Sequence, residues 1–510
     1  MNILLVYPEM PQTYFKLDNI LKILGKKMSF APVGLLTVAS MLPKEWNKKL
    51  IDKNVKPLLD SDVEWADLVM ISAMNAHVPG IAPVIEQCKK FNKKIAAGGP
   101  LFTHEHLKFP EIDYFILNEA EITLQPFIND FIAGKPKKIY SSKEFASVTE
   151  SPLPDWSLVN KNDYAYGTVQ YSRGCPYMCD FCDVTALFGR KPRVKTPEQV
   201  IAELEILLNN GKFENIIFAD DNFMGNKRVL KSELLPALIE WRDKHKYAPA
   251  FSTQITINVA DDEELMQMLL EAGFRQLLIG IESISEESLK LMRKNQNTGR
   301  NILADLHKIQ QRGFLLMTGY IVGLDDDKET VFRDQVNFIQ ESGVIMNIIN
   351  ILKAPPGTEL YDRMERENRL LPEFDFVESR SNIITKMKPE VLASGLAYVM
   401  GGVYSPQAAY ERYMKYFGLE KKSKVRNPIQ RKITLSKIPT IFRIVRYLTF
   451  DKDVGKQFRK LMFYVWKHER QNLDKGVLFG MIMQHQFEQW KRLEKVLNEY
   501  PVNTVIEKVA

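Results

Sequence analysis

The stretch Arg173-Gly174-Cys175-Pro176-Tyr177-Met178-Cys179-Asp180-Phe181-Cys182 carries three of the four cysteines of a 510-residue chain within eight positions. Three residues separate the first two thiols and two separate the next pair, a spacing that suits a short loop curling its sulfurs toward one point. Thiolates so placed bind soft metals or iron–sulfur clusters far better than they pair as disulfides. A structural zinc site is the alternative; it uses four protein ligands, and the fourth here would be Asp180, Asp183 or a distant histidine. Three thiolates on a four-iron cluster leave one iron without a protein ligand, which makes that iron a place for chemistry.

Downstream of the loop the chain alternates strand-like and helical patterns. Strands are expected at 167–171, 215–219, 250–257, 275–281, 316–322 and 347–352, with helices at 197–209, 227–244, 261–272, 286–293, 299–311 and 328–341. Six such repeats are fewer than a closed eight-stranded barrel needs, so an open, partial (β/α)6 barrel with a lateral mouth is expected. In a barrel the loop stands at the carboxyl-terminal face, and residues ending the other strands share that face. These are Asp220, Asp221 and Asn222 after the second strand, Gln254 on the third, Glu282 and Ser283 after the fourth, Gly319 and Gly323 on the fifth, and Lys353-Ala354-Pro355-Pro356-Gly357-Thr358 after the sixth. An acidic pair after a strand also serves as a helix cap, and a Gly-x-x-x-Gly run also serves close packing. Their order after the cysteine loop is what gives them weight.

Upstream, residues 1–135 alternate strands at 2–7, 47–52, 68–72, 94–98 and 114–117 with helices at 35–42, 81–91 and 124–133, the pattern of a doubly wound parallel sheet. Ligands bind beyond the carboxyl ends of such strands, here at Asp52-Lys53-Asn54, Ser72-Ala73-Met74 and Gly98-Gly99-Pro100. His104 and His106 follow that last turn and read as an exposed loop pair rather than a metal site, and Cys88 reads as a packing residue of a helix. Residues 136–165, with Pro136, Pro152 and Pro154, read as a linker. Residues 386–510 are helical. Within them 432–450 mixes apolar residues and cations in a form that suits either a membrane surface or a helix packed with its cations in solvent. Met481, Met483, Phe487 and Trp490 of the last helix read as core.

Hydrophobic residues make up 45% of the chain and charged residues 26%, the balance of a soluble globular protein. A net charge of +6 over this length, without an arginine-rich arm, argues against a nucleic-acid partner. Neither a secretory signal nor an apolar run of membrane-spanning length is present, so the expected location is the cytoplasm, peripheral to the membrane if the C-terminal helices touch it. Clustered free thiols fit that reducing compartment.

The cysteine loop, with aromatic Phe181 just before the last thiol, resembles the cluster loop of the radical S-adenosylmethionine (SAM) superfamily. The upstream region resembles the cobalamin-binding domain of the cobalamin-dependent members, through Pro32-Val33-Gly34-Leu35-Leu36, Ala97-Gly98-Gly99-Pro100 and Asn118-Glu119-Ala120-Glu121. The helical tail resembles the branch that includes hopanoid C-2 methylases. Two departures stand out: Asn54 occupies the place of the cobalt-ligating histidine of the Asp-x-His-x-x-Gly motif, and Asn118 stands where relatives commonly have glycine. The resemblance implies a 4Fe–4S cluster on Cys175, Cys179 and Cys182, SAM beside Asp220-Asp221-Asn222, Gly280-Ile281-Glu282-Ser283 and Gly319–Gly323, and cobalamin in the first region. It implies electron transfer from a donor such as flavodoxin or ferredoxin, release of a 5′-deoxyadenosyl radical, and methyl transfer to an unactivated carbon of a small or lipid-like substrate. Cyclisation, oxidation or rearrangement without methyl transfer is the competing enzymatic expectation, and a non-catalytic cobalamin-binding regulator the expectation of another class.

Overall fold

The computed structural model describes residues 1–209, 213–245, 248–371, 381–420 and 438–499. Residues 432–437 of the apolar–cationic segment lie outside the described residues. In the first region β1 (Asn2–Tyr7), β2 (Asn47–Asp52), β3 (Leu68–Ser72), β4 (Lys94–Gly98), β5 (Tyr114–Ile116) and β6 (Ile139–Tyr140) form one sheet in the order β2-β1-β3-β4-β5-β6. Every pairing is parallel, with Ile3 opposite both Lys48 and Leu68. Helices cover both faces, so β1 and β3 are near-continuous apolar runs rather than alternating ones. The strand order reverses between β1 and β3, which makes their carboxyl ends the place for a ligand.

β6 falls inside the expected linker, and that segment is folded onto the sheet rather than strung beside it. The Tyr164 hydroxyl donates to Asp52 at 3.1 Å, Trp156 is buried, and the backbone N–H groups of Asp155 and Ala165 donate to Leu36 and Met28 carbonyls. Two residues of strand between prolines are too short to announce themselves as a period-2 pattern.

The second region opens with β7 (Gly167–Val169), then a small antiparallel hairpin of β8 (Ser172–Arg173) and β9 (Arg193–Val194) that brackets the cysteine loop. β10 (Asn215–Phe218), β11 (Ala250–Gln254), β12 (Phe274–Glu282), β13 (Leu315–Val322) and β14 (Met346–Ile351) complete a parallel sheet ordered β14-β13-β12-β11-β10-β7. β7 and β14 are its two edges, so the barrel is partial and open at the side. The helix expected at 227–244 contains a π-helical turn at Leu230–Leu234, and its buried Leu230, Leu234, Leu235 and Leu238 pack on the strands. One apolar core runs continuously from one face of the first sheet into the barrel, and a second fills the other face.

Helices Pro389–Tyr404, Pro406–Glu420, Ile438–Phe450, Gly455–His468 and Leu473–Glu499 follow. Tyr404 donates to the Asn347 carbonyl of β14, and Met483 and Phe487 are buried in a third apolar cluster that Met481 and Trp490 flank, as their reading as core anticipated. No described helix is long and apolar enough to cross a membrane.

Candidate functional site

The loop from Gly174 to Cys182 is held at both ends. Gly174 has φ +92°, and a side chain there would meet the Gly189 and Phe188 carbonyl oxygens at 2.8 and 3.0 Å, so only glycine lets the loop leave β8. The Cys175 N–H donates to Gly189, the Asp180 N–H to Met292, and the Leu360 N–H to Asp180, which docks the loop on helix Glu359–Arg366. All four cysteines are unpaired. Burial and the neighbouring Cys179 charge raise Cys175, and burial pushes Cys182 up to about 12. Such thiols become thiolates when a bound cation compensates them.

Strand ends surround the loop. Asp220 is buried with both oxygens engaged, by the Ser172 N–H and hydroxyl and by the Tyr171 N–H at 3.2 Å; burial lifts it to about 7. It builds the β8 end of the loop. Asp221, raised to about 6 by burial, accepts from the Gly174 N–H, and the Asn222 amide lies 4.0 Å from Cys175 Sγ. Glu282 ends β12 at φ +67°, a strained conformation for a side chain of this size, and pairs at 2.9 Å with buried Lys294. Gly319 lies opposite Gly280; the Glu282 and Lys294 side chains fill the space a side chain at Gly280 would take, while the space over Gly319 is open. Gln254 is exposed at the end of β11. Ser283 accepts from the Ser285 N–H, and Gly323, at φ +87°, packs under Leu392 and gives its N–H to Asp327, so both serve turns.

Several participants carried no sequence signal. The Gln296 amide reaches Cys179 Sγ at 3.6 Å, and Lys294 stands over the Phe181 ring. Asn222 Oδ1, Gln296 Oε1, Asn297 Oδ1 and Asp180 Oδ1 are buried without hydrogen-bond partners, an arrangement that suits a polar ligand at the barrel mouth. His104 turns its ring against Gly357, and its buried Nε2 has no partner either. Among the described residues no group of three or more His, Cys, Asp or Glu is gathered at metal-binding separation; the expected exposed loop at His104 and His106 is instead the end of the helix Pro100–Glu105 and the turn after it, with both histidines half-buried.

At the carboxyl ends of β1 and β2 Asn54 donates to the Pro8 carbonyl and to Asp52 Oδ1 and accepts from the Met10 N–H, so its amide is consumed in closing the strand ends. Asp52 is buried and also accepts from Tyr164. Ser72 sits against Gly99, whose φ of +95° turns the chain from β4 into the next helix. Thr13 Oγ1, Asn75 Oδ1 and His77 Nε2, in the segments that follow β1 and β3, are buried and unpartnered. Asn118, in the place of glycine, adopts φ +62°, a conformation asparagine tolerates, so the turn survives.

A buried ionic network joins the two regions. Arg173 Nη1 and Nη2 lie 2.8 Å from Glu119 and Glu121, and Arg193 lies 2.8 Å from Glu119. Glu119 stands just before the helix Ala120–Ile132 of the first region, while Arg173 immediately precedes the cysteine loop.

Residues 27–128 match the B12 binding domain, 169–335 the radical SAM superfamily, and 358–498 a domain of unknown function, DUF4070. The chain is 37% identical over 423 residues to an uncharacterized methyltransferase of Synechocystis sp., covering 82% of this chain and 78% of that one. It is 30% identical to the hopanoid C-2 methylase of Rhodopseudomonas palustris, covering 81% and 78%. The chain belongs to the cobalamin-dependent radical SAM methyltransferase family. Its cofactors are a 4Fe–4S cluster, SAM and cobalamin, and membership removes the reading as a non-catalytic regulator. The fold matches the methyltransferase TsrM of Kitasatospora setae at a TM-score of 0.62 and 14% identity, covering 96% of this chain and 99% of that one. It matches the cobalamin-dependent enzyme OxsB at a TM-score of 0.60 and 16% identity, covering 97% and 80%.

Proposed function

We propose that the chain methylates an unactivated carbon of a hydrophobic, lipid-like substrate, with 1–135 as the cobalamin-binding unit, 136–165 as the connection, 166–385 as the radical unit and 386–510 as the helical cover. The observation that carries the reading is the buried network that ties the cysteine loop, through Arg173, to Glu119 and Glu121 of the cobalamin-type sheet. When bound, the cofactors supply reductive cleavage of SAM to a 5′-deoxyadenosyl radical and the methyl group to be transferred. Cys175, Cys179 and Cys182 would hold the cluster, and the donor set fits it: three unpaired thiols, two amides directed at sulfur, and the buried Lys294 cation beside a negatively charged centre.

Asp221, Asn222, Glu282 and Lys294 would orient the methionyl and ribose groups of SAM, while the open strand surface at Gly319 would admit a flat ring. Ser72, Gly98 and Gly99 would face cobalamin, with the buried Thr13, Asn75 and His77 atoms available to its amides. Asn54 supplies no lower ligand because its amide is already engaged. Phe181, Leu289 and Met292 contribute apolar packing behind the loop, which keeps water away from it.

The lipid-like substrate is supported by the hopanoid methylase relative. The electron comes from a one-electron donor of the flavodoxin or ferredoxin class. Anaerobic reconstitution with SAM, cobalamin and a lipid extract tests the reading: a gain of one methylene unit in a lipid supports it, and a loss of two hydrogens assigns cyclisation or desaturation instead.

A further inference from the structure

Helices Ile438–Phe450 and Gly455–His468 pack on each other and on Leu473–Glu499 through Ile444, Leu448, Phe458, Leu461 and Val465. Their outward faces are not those of helices meant for water. Ile438, Phe442 and Phe450 are 49, 67 and 80% exposed, and Phe463 and Trp466 are 61 and 53% exposed. On the first helix these residues fall within roughly a third of the circumference, so they form a stripe and not a scatter. Arg443, Arg446, Lys456, Arg459, Lys460 and Lys467 lie exposed along the same two helices. Neither helix contains an aspartate or glutamate; Asp451 and Asp453 sit in the turn between them, where Asp451 accepts the Asp453 and Val454 N–H groups, Glu469 is buried at the end of the second helix, and Glu488 of the last helix faces Tyr447 of the first.

Exposed aromatics flanked by unopposed cations are the chemistry of a helix lying in the headgroup layer of a membrane. We propose that this face seats on a bilayer containing anionic phospholipid. The charge decides between this occupant and a second copy of the chain, because two such faces brought together would set like charges against each other. No described helix is long and apolar enough to cross the bilayer, and the proposed seating is along its surface. The proposal stands on this surface and deepens the reading of a lipid-like substrate. Vesicle binding is read without turnover, so the failure of one is distinguishable from the failure of the other.

The test is flotation of the full-length holoenzyme with vesicles of phosphatidylcholine alone and of phosphatidylcholine mixed with phosphatidylglycerol. The chain floats with the mixed vesicles, and added salt weakens the binding. Phe442→Ser with Phe450→Ser lowers binding at least about tenfold by removing buried apolar area. Lys456→Gln with Lys467→Gln lowers it about twenty-five-fold, since each cation near an anionic surface contributes roughly a factor of five. Both double variants keep forming 5′-deoxyadenosine from SAM, which shows that they fold. A wild-type chain that does not float with the mixed vesicles overturns the proposal, as do variants that float as well as the wild type. A dimer in vesicle-free solution that the double serine variant splits overturns it too, and assigns the face to a second copy.

Discussion

Cys179 and Cys88 are the same side chain in different settings, and replacing each should have different consequences. Cys179→Ala removes one of three loop sulfurs and should abolish reductive SAM cleavage, measured as 5′-deoxyadenosine, with a matching fall in bound iron. Cys88 is fully buried in the helix Val78–Lys90, with its thiol pushed up to about 12 by burial. Cys88→Ala should leave cleavage intact and cost roughly 1 kcal/mol of stability, as small core truncations do. The ionic network gives a pH signature at this same scale. Burial opposes the Glu121 charge, but the hydrogen bonds and charge of Arg173 outweigh it and hold the carboxyl at about 2 against an ordinary 4.5. The folded value lies below the unfolded one, so this contribution to stability is complete above pH 4.5 and is lost as pH falls through about 2. Denaturant midpoints should therefore fall more steeply over that window in the wild type than in Glu121→Gln. Arg173→Gln leaves two buried carboxylates short of a partner and should cost about 3–5 kcal/mol; equal midpoints for this variant and the wild type would contradict the network's role. The cysteines were legible because their spacing alone constrains chemistry. Arg173, Arg193, Lys294 and Gln296 were not, since long polar side chains acquire partners only when distant segments meet.

The β8/β9 hairpin makes the loop's geometry a property of an element. Gly174→Ala puts a side chain where the Gly189 and Phe188 carbonyls stand, at a positive φ, so the hairpin should open and the variant should fail to take up iron while its far-UV circular dichroism stays near native. Native iron content would show that the loop does not need that turn. The long parallel strands of both sheets were readable, because apolar runs of four to eight residues between helical patterns leave few alternatives. β6, β8 and β9 were not readable; each is two residues long and owes its existence to a neighbour already in place. The expected site residues differ in what they touch. Asp221, Asn222, Glu282 and Gly319 lie together around the loop, whereas Asp220, Ser283 and Gly323 end strands but spend their groups on backbone, a difference that strand position alone does not encode.

At the scale of the whole molecule, one chain brings the cysteine loop and a cobalamin-type sheet into fixed relation, and the substrate we propose for it is lipid-like. The three-part architecture was legible from alternating patterns, and the open edge of the barrel follows from six strands where closure takes eight. What the sequence could not show was the joint between the regions, because the connection folds onto the first sheet through Tyr164 and Trp156 and the ion pairs cross it. The most direct measurement is on the protein purified without oxygen, loaded with iron, sulfide and cobalamin, and incubated with isotopically methyl-labelled SAM, a reductant and a lipid extract. The expected products are 5′-deoxyadenosine and a lipid carrying the labelled methyl group, both lost in Cys179→Ala. Iron and corrinoid bound at full occupancy, yet no 5′-deoxyadenosine and no labelled lipid, would contradict the proposed function.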